Sequence, residues 1–485
     1  MTPAPRVAPD GIPVGFEGFI RQNIPWHPCD NADQVDPHDG QGFDCATIDA
    51  PLSWQDPAAG TITLALARHV ATGNRQGALL TNPGGPGASG VDYIVSAWSE
   101  YGQKLRDAYD VVSFDPRGVQ RSTPIVCMDD ADKDAFLAAS YSDTEAGIAQ
   151  MAADAEAWGQ ACARNTGPLL GHVDTQSAAY DMNLIRVLLG EKSLNYMGFS
   201  YGTQLGAYYA GLFPQVVGRM VLDGAIDITL STDDAALQQA MGIEQALRQY
   251  VDNCLASAGC PLTGPTDRAM GQIKGIFDAA LNRPFPTSTG RDVTQTLAFF
   301  GVAVTLYDQR SWPVLTQALQ EVMEHGSGNA LLYLADFYND RKPGGSFSTN
   351  SIEAFIAIGC LDSRGTTDLA AMKSEAARII EAAPTVGEFF GYGGITCQDW
   401  PYPLVPAQFD FSAPGAGPIV VIGTTHDPAT PYRWAQALTN TLADAILLTF
   451  DGEGHTAYGR SNACIVDTVD AYLVDGTVPE KGKTC

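Results

Sequence analysis

Hydrophobic and polar positions predict strands that alternate with helices in the first half of the chain. Apolar runs typical of buried strands occur, in order, in "GALLTN", "DVVSFD", "LNYMGFS" and "GRMVLDG", with helical stretches between them, one near Val91–Tyr109. Earlier, "CATIDAPLSW" and "GTITLALARHVA" alternate apolar and polar residues around "QDPAAG", which predicts a hairpin. Strands that alternate with helices indicate an α/β protein whose mostly parallel sheet is covered on both faces.

The alternation stops near Gly224, and strand patterns return only in "PIVVIGTTHD" and "AILLTFDGEGHT". Between them the pattern is mainly helical, as in "DDAALQQAMGIEQALRQYVDNCL". We therefore predict three segments: residues 1–224 as the first part of the sheet domain, 225–392 as a helical cap, and 393–485 as the rest of the sheet domain. Ligand sites in such sheets lie at the carboxyl ends of the strands, so we expect the cap to cover them.

Net charge and apolar run length indicate which kinds of binding partner do not suit this chain. The chain has 485 residues and a formal net charge of -27, which disfavours nucleic acid and anionic membrane surfaces. Its longest apolar run, "LAFFGVAVTLY" from Leu297, is too short to span a bilayer. We expect a soluble protein with no nucleic-acid or membrane partner; the oligomeric state is open.

Ten cysteines without a C-x-x-C pair favour disulfides over zinc or redox chemistry. Each successive pair brackets one loop or helix, so we predict nearest-neighbour pairing, most firmly for Cys254–Cys260 and Cys360–Cys397. The alternative is a cytosolic protein with ten buried thiols. Disulfides require an oxidising compartment, yet "MTPAPRVAPDG" lacks the basic start and apolar region of a signal peptide. We expect a secreted or cell-envelope protein whose sequence is a mature or trimmed form.

A serine lies at a sharp change of period in "NYMGFSYGTQLGAYYAG". A strand, then Gly-Phe-Ser-Tyr-Gly, then a helix is the context of a G-x-S-x-G nucleophile elbow. Gly198 and Gly202 lie where the strand and the helix approach too closely for side chains. A plain turn would need neither both glycines nor a buried strand ahead of it. Ser200 is therefore the predicted nucleophile.

A nucleophilic serine needs a base and an acid that orients the base. His455 follows the last predicted strand on the Gly-rich loop "FDGEGHTAYG", and Asp427 follows the strand before it. Together with Ser200 they have the order Ser, acid, His that accompanies this elbow. His426 is the rival base, but its neighbour Asp427 points away from it in a loop. We predict Ser200, Asp427 and His455 as the catalytic triad and His426 as a rim or packing residue.

Four residues near these motifs are predicted to be structural. Asp223, in "VLDGA", would be the one other acid in a suitable order for His426, and we expect it to support the fold. Thr430 and Pro431 resemble a helix N-cap and a first helical position that would fix the loop with Asp427. Arg117, in "DPRGVQRS", is predicted to brace carboxylates or carbonyls, with direct substrate contact as the alternative.

The glycine-rich stretch "LLTNPGGPGASG" supplies a predicted oxyanion hole. A tetrahedral intermediate needs donors where negative charge develops, and glycines let backbone N–H groups approach closely. We expect the N–H of Tyr201 together with that of Gly84 or Gly85 to bind this oxygen. A phosphate-binding loop is the alternative, but the spacing is not G-x-G-x-x-G and no Lys-Ser/Thr follows. No cofactor and no metal are expected.

With these motifs placed, the sequence resembles the secreted tripeptidyl aminopeptidase branch of the prolyl-aminopeptidase-like α/β-hydrolase serine peptidases. The resemblance covers nearly the whole chain and is most specific in "LLTNPGGPGASG" and in "AIGCLD" with "GGITCQDWP". It implies an α/β-hydrolase fold, the triad named above, and release of short peptides, commonly tripeptides, from free N-termini. Pro83 stands where the simpler prolyl aminopeptidases carry His, which favours the tripeptidyl branch.

Three functions fit this pattern. The first is an exopeptidase acting on peptides with a free N-terminus, the second a carboxylesterase or peptide natural-product tailoring hydrolase with the same triad, and the third a catalytically silent binding module. A cap that closes one end of the cleft would favour the exopeptidase. The substrate ammonium entering that end would need a carboxylate. Candidates in and near the cap are Asp336, Glu353 and Asp362.

Overall fold

The computed structural model describes residues 11–36 and 38–485. The first ten residues, on which the signal-peptide expectation rests, lie outside the described residues. Nine strands in the described part form one sheet: β1 His27–Pro28, β2 Phe43–Pro51, β3 Thr61–His69, β4 Gly77–Asn82, β5 Tyr109–Phe114, β6 Leu194–Phe199, β7 Val217–Asp223, β8 Ile419–His426 and β9 Ala445–Glu453.

The strand order is β1-β2-β3-β5-β4-β6-β7-β8-β9. The six strands from β5 to β9 along this order run parallel, and β1 to β3 form an antiparallel edge. The predicted hairpin is β2 with β3, paired from Phe43–His69 to Pro51–Thr61. The mostly parallel sheet predicted from the alternating pattern is therefore confirmed.

The α-helices of the described residues are α1 Gly90–Ser96, α2 Gln103–Ala108, α3 Asp130–Ala138, α4 Glu145–Thr166, α5 Thr175–Leu188, α6 Tyr201–Leu212, α7 Thr232–Leu255, α8 Thr266–Asn282, α9 Gln295–Leu306, α10 Trp312–His325, α11 Asn329–Tyr338, α12 Ser351–Asp362, α13 Leu369–Ala382, α14 Ile395–Gln398, α15 Tyr432–Thr441 and α16 Ala463–Asp470. The helical stretch expected near 91–109 is broken into α1 and α2, and Tyr109 already belongs to β5.

Helices cover both faces of the sheet because successive strand residues point to opposite sides. In β4, Leu80 packs in a core cluster with residues of α4, α5 and α6. Its neighbour Leu79 packs in a second cluster with residues of α1, α2 and α16. The central strands are buried on both sides, as near-continuous apolar runs require.

The helices inserted between β7 and β8 do not all pack together. Helices α7 to α11 and α13 share their own apolar core, which includes Leu247, Phe277 and Leu315. Helix α12 is different, since its Ala354, Ala357 and Leu361 belong to the core cluster of the sheet. This helix therefore lies directly on the sheet domain, next to α5 and α6.

All ten cysteines form disulfides in the predicted nearest-neighbour pattern: Cys29–Cys45, Cys127–Cys162, Cys254–Cys260, Cys360–Cys397 and Cys464–Cys485. Disulfides of this number are typical of oxidising compartments. Among the described residues, none of the helices has the length and apolarity needed to cross a membrane.

Arg117 braces the fold, as predicted. Its side chain is fully buried, and its guanidinium donates to both carboxylate oxygens of Asp181 at 2.7 and 2.6 Å. The remaining N–H groups donate to the carbonyls of Pro51, Leu52 and His172. These bonds satisfy the buried cation and tie the hairpin edge of the sheet to α5.

Candidate active site

Ser200 lies in the single-residue corner between β6 and α6, in strained backbone. Its φ of 54° and ψ of -123° are conformations that non-glycine residues rarely adopt. The corner is tight: a Cβ at Gly198 would lie 2.3 Å from the carbonyl oxygen of Gly202. A Cβ at Gly202 would lie 2.6 Å from the carbonyl oxygen of Asn82 in β4, so neither position accepts a side chain. Ser200 is partly exposed at the carboxyl edge of the sheet.

Asp427 and His455 meet at the same edge. Asp427 follows β8 directly, and His455 follows β9 by two residues. The His455 Nδ1 atom lies 2.9 Å from both Oδ1 and Oδ2 of Asp427. Both side chains are buried. Because the carboxylate can only accept, Nδ1 carries the proton, and Nε2 is left as an acceptor for a serine proton.

Ser200 and His455 flank the same two residues at the end of β7. The Ser200 N–H donates to the carbonyl of Asp223 at 2.9 Å. A Cβ at the next residue, Gly224, would lie 3.2 Å from the Cε1 atom of the His455 ring. The structure thus gathers all three predicted triad residues around the ends of β6, β7, β8 and β9.

Backbone and side-chain donors hold the Asp427 carboxylate in place. Oδ1 accepts the N–H groups of Ala429 and Thr430, both at 2.9 Å. Oδ2 accepts the Thr430 hydroxyl at 3.1 Å and the N–H of Thr456 at 3.2 Å. The Thr456 bond joins the loop of the acid to the loop of the histidine.

The predicted N-cap role of Thr430 is wrong by one residue. Helix α15 starts at Tyr432, its N-cap is Pro431, and no side chain caps it. Thr430 instead turns its hydroxyl toward Asp427, and that hydroxyl also lies 3.4 Å from Nδ1 of His455. A sequence pattern cannot separate these roles, because Thr before Pro suits both.

The carboxylate of Asp223 holds the loop residues that follow His455. Its fully buried carboxylate accepts the N–H of Ala457 at 3.1 and 3.0 Å and that of Tyr458 at 2.7 Å. Burial raises the pKa of Asp223 to about 6, although the two N–H groups oppose the shift. The predicted structural role is therefore to hold the loop that carries His455, since Ala457 and Tyr458 lie two and three residues after it.

The inserted helices reach the histidine through Tyr307, which sequence reasoning missed. The N–H of His455 donates to the carbonyl of Tyr307 at 2.9 Å. The Tyr307 ring lies edge-on to the imidazole, with 5.2 Å between centroids. Tyr307 follows the last residue of α9, inside an apolar run that marks it as core, so no pattern distinguishes it.

The glycine loop passes against the start of α6. A Cβ at Gly84 would lie 2.4 Å from the Phe199 carbonyl and 2.9 Å from the Tyr201 nitrogen. The Gly84 N–H itself donates to the Asn82 side chain at 3.0 Å. Of the two glycines predicted as alternatives, Gly85 is the better candidate, because no hydrogen bond to the described residues engages its N–H. Tyr201 is the first residue of α6, so its N–H has no acceptor within the helix.

His426 has an acid partner that the sequence reasoning overlooked. Its Nδ1 atom lies 2.8 Å from Oε1 of Glu453, across the ends of β8 and β9. Both side chains are partly exposed. Burial raises the pKa of Glu453, and His426 opposes that shift. This pair lies beside the Asp427–His455 pair and fits the predicted rim position of His426.

Comparisons with known proteins identify relatives of this chain. A family model described as TAP-like protein matches residues 383–485. Serine protease Hip1 of Mycobacterium tuberculosis is 36% identical over 482 residues, covering 97% of this chain and 92% of that protein. Carboxylesterase B of the same organism is 36% identical over 452 residues, covering 91% and 86%. The tripeptidyl aminopeptidase of Streptomyces coelicolor is 29% identical over 488 residues, covering 98% and 88%.

These two relatives, each 36% identical over most of its length, are both named as hydrolytic enzymes. The region matched by the family model contains both Asp427 and His455. The protein is accordingly a hydrolytic enzyme with an α/β-hydrolase fold. It belongs to the tripeptidyl-aminopeptidase-like α/β-hydrolase serine peptidases.

Proposed function

We propose that this protein is a serine exopeptidase that releases short peptides, in particular tripeptides, from free N-termini. The observation that carries the proposal is the buried Asp427–His455 pair at the sheet edge that also presents Ser200. The name of the Streptomyces relative supports the tripeptide length. The five disulfides support an exported enzyme.

The reaction would run through an acyl-enzyme. Ser200 Oγ attacks the scissile carbonyl while Nε2 of His455 accepts its proton, and Asp427 stabilises the imidazolium that forms. The N–H groups of Tyr201 and Gly85 receive the oxyanion, at the positive end of the α6 dipole. His455 then protonates the leaving amine. In the second half His455 takes a proton from water, which attacks the acyl ester, and returns that proton to Ser200 as the peptide acid leaves.

A carboxylesterase, or a hydrolase that tailors peptide natural products, is the second candidate. The relative named carboxylesterase B has the same 36% identity to this chain as the relative named serine protease, over 452 and 482 residues respectively. Both reactions use the same triad and the same oxyanion hole, so the acyl group and the leaving group decide between them. A short acyl ester with no amine would be the best substrate of such an esterase.

The test compares one tripeptide p-nitroanilide in free and N-acetylated forms with p-nitrophenyl butyrate. Acetylation removes the ammonium charge, and the loss of a charge-assisted contact should lower kcat/KM about 10- to 100-fold. Ser200→Ala should lose turnover of all three compounds, which excludes a contaminating hydrolase. Equal hydrolysis of the free and acetylated peptides, with faster hydrolysis of the ester, would replace the exopeptidase proposal with the esterase.

A further inference from the structure

Helix α12 has a single exposed stripe along an otherwise buried surface. Its residues that solvent reaches are Ser351, Ile352, Phe355, Gly359 and Asp362. They recur every three or four residues, which places them on one side of the helix. The rest of α12 is buried. Its exposed side therefore faces an open space, although the helix packs on the sheet domain.

One end of the stripe lies at the glycine loop of the candidate oxyanion hole. A Cβ at Gly87 would lie 2.5 Å from the carbonyl of Ser351 and 3.1 Å from the nitrogen of Phe355. Phe355 is 50% exposed. A Cβ at Gly359 would meet no atom within 4 Å, so the space continues along the helix.

The other end lies beside the helix of the nucleophile. The Oδ2 atom of Asp362 is 3.4 Å from Nε2 of Gln204. Gln204 is one turn beyond Ser200, and from Ser200 to Ala210 these two residues alone are not fully buried. Asp362 and Ser200 thus face the same opening. Asp362 lies seven positions after Phe355 in the helix, a rise of about 10 Å, which is also about the length of three extended residues.

Asp362 is a carboxylate that no cation of the described residues neutralises. It accepts the N–H of Thr175 at 2.8 Å and also the Thr175 hydroxyl. In the described part of the chain, no Lys, Arg or His forms an ion pair with it. Burial raises its pKa to about 7, the two Thr175 bonds oppose the shift, and nearby Asp174 adds to it.

The other two candidate carboxylates are already neutralised. Asp336 accepts from Arg291 at 2.6 Å and from Arg341 at 3.4 Å. Glu353 lies 2.8 Å from the ammonium of Lys133, and both side chains are buried. A substrate ammonium would gain little from either of them, because their charge is already matched.

We infer that Asp362 binds the α-ammonium of the peptide substrate, with Phe355 and Gly359 lining the path from there to the oxyanion hole. The inference rests on the proposed exopeptidase function and specifies how that site recognises its substrate. The peptide would run along the exposed stripe of α12, and its charged end would meet the carboxylate of Asp362. The distance between the two ends then selects the length of the released peptide.

The Asp362 carboxylate also forms hydrogen bonds within the protein, so the test must separate a structural role from binding of the substrate ammonium. The Thr175 hydroxyl that binds Asp362 lies 2.5 Å from the hydroxyl of Tyr201, whose N–H is a candidate oxyanion donor. A purely structural effect of Asp362→Asn would slow all substrates equally. An effect on ammonium binding would raise KM only for substrates that carry the charge.

The experiment measures kcat and KM of wild type, Asp362→Asn and the matched control Asp336→Asn. The substrates are the free and N-acetylated tripeptide p-nitroanilides and p-nitrophenyl butyrate. We expect wild type and Asp336→Asn to prefer the free peptide by about 10-fold or more, the usual effect of losing one charge-assisted contact. Asp362→Asn should lose this preference through a higher KM for the free peptide, with ester hydrolysis within about twofold of wild type.

Three results would contradict the inference, and they differ from one another. A preference that persists in Asp362→Asn would place the ammonium site elsewhere and leave the exopeptidase proposal intact. Equal losses on all three substrates would assign Asp362 a structural role through Thr175. No preference in wild type would refute the exopeptidase function itself, before any variant is considered.

Discussion

Replacing Asp427 by Asn tests the triad most directly, because five donors converge on this carboxylate. They are Nδ1 of His455, the N–H groups of Ala429, Thr430 and Thr456, and the Thr430 hydroxyl. An amide supplies one acceptor oxygen and one NH2 group in place of two acceptor oxygens. Asn at this position must therefore turn a donor toward another donor.

One orientation of the amide costs least. With its oxygen in the place of Oδ1, the amide keeps the N–H groups of Ala429 and Thr430, and the Thr430 hydroxyl can reverse to accept. Its NH2 group then opposes the N–H of Thr456, and one unsatisfied buried N–H lowers the free energy of unfolding by about 1–3 kcal/mol. The NH2 also forces Nδ1 of His455 to accept, so the proton moves to Nε2. An imidazole protonated there cannot take the proton of Ser200, and we expect kcat to fall about 10⁴-fold.

The assay measures kcat for a p-nitrophenyl ester and the free energy of urea unfolding for wild type and Asp427→Asn. The expected result is a nearly inactive enzyme that still folds, since about 1–3 kcal/mol is less than the stability of a typical domain. A kcat within tenfold of wild type would refute the reasoning, because another group would then orient the base. Asp223, a buried acid that holds the loop after His455, would be the first to examine.

Three further results are expected. His455→Gln should lower kcat by about 10³-fold or more, and His426→Gln by less than about tenfold; similar losses would make His426 a candidate base. Gly84→Ala should lower kcat about 10²-fold in a folded protein, because its Cβ would displace the loop from Tyr201; unchanged kcat would exclude that loop from the oxyanion hole. Burial raises the pKa of Asp223 to about 6 from 3.8, so its contribution to stability is full below pH 3.8 and is lost as the pH rises through 6. The stability difference between wild type and Asp223→Asn should change by up to about 3 kcal/mol across that window, and a constant difference from pH 4 to 7 would contradict the shift.

The sequence by itself determined most of the secondary-structure elements and the candidate reacting groups. The apolar runs of β4 to β9 are long enough to be recognised as strands, and the strand–Gly-x-Ser-x-Gly–helix pattern marked Ser200 as the candidate nucleophile, because side chains at Gly198 and Gly202 would clash with neighbouring backbone. The order of motifs along the chain selected Asp427 and His455, which the fold brings within 2.9 Å of each other. The nearest-neighbour disulfide pattern was a simple prediction that the structure confirms, although spacing alone does not fix which cysteines pair.

Only the tertiary structure decided which polar groups meet. Glu453 pairs with His426, Thr430 turns toward Asp427 and not toward α15, and Tyr307 contacts His455 from a helix far away in the sequence. The sequence alone did not distinguish Asp336, Glu353 and Asp362 as candidate ammonium ligands. Residues far away in the sequence decide which of these carboxylates is paired with a cation. Periodicity reports which face of an element is buried, but a hydrogen bond or an ion pair depends on contacts that the folding of remote segments creates.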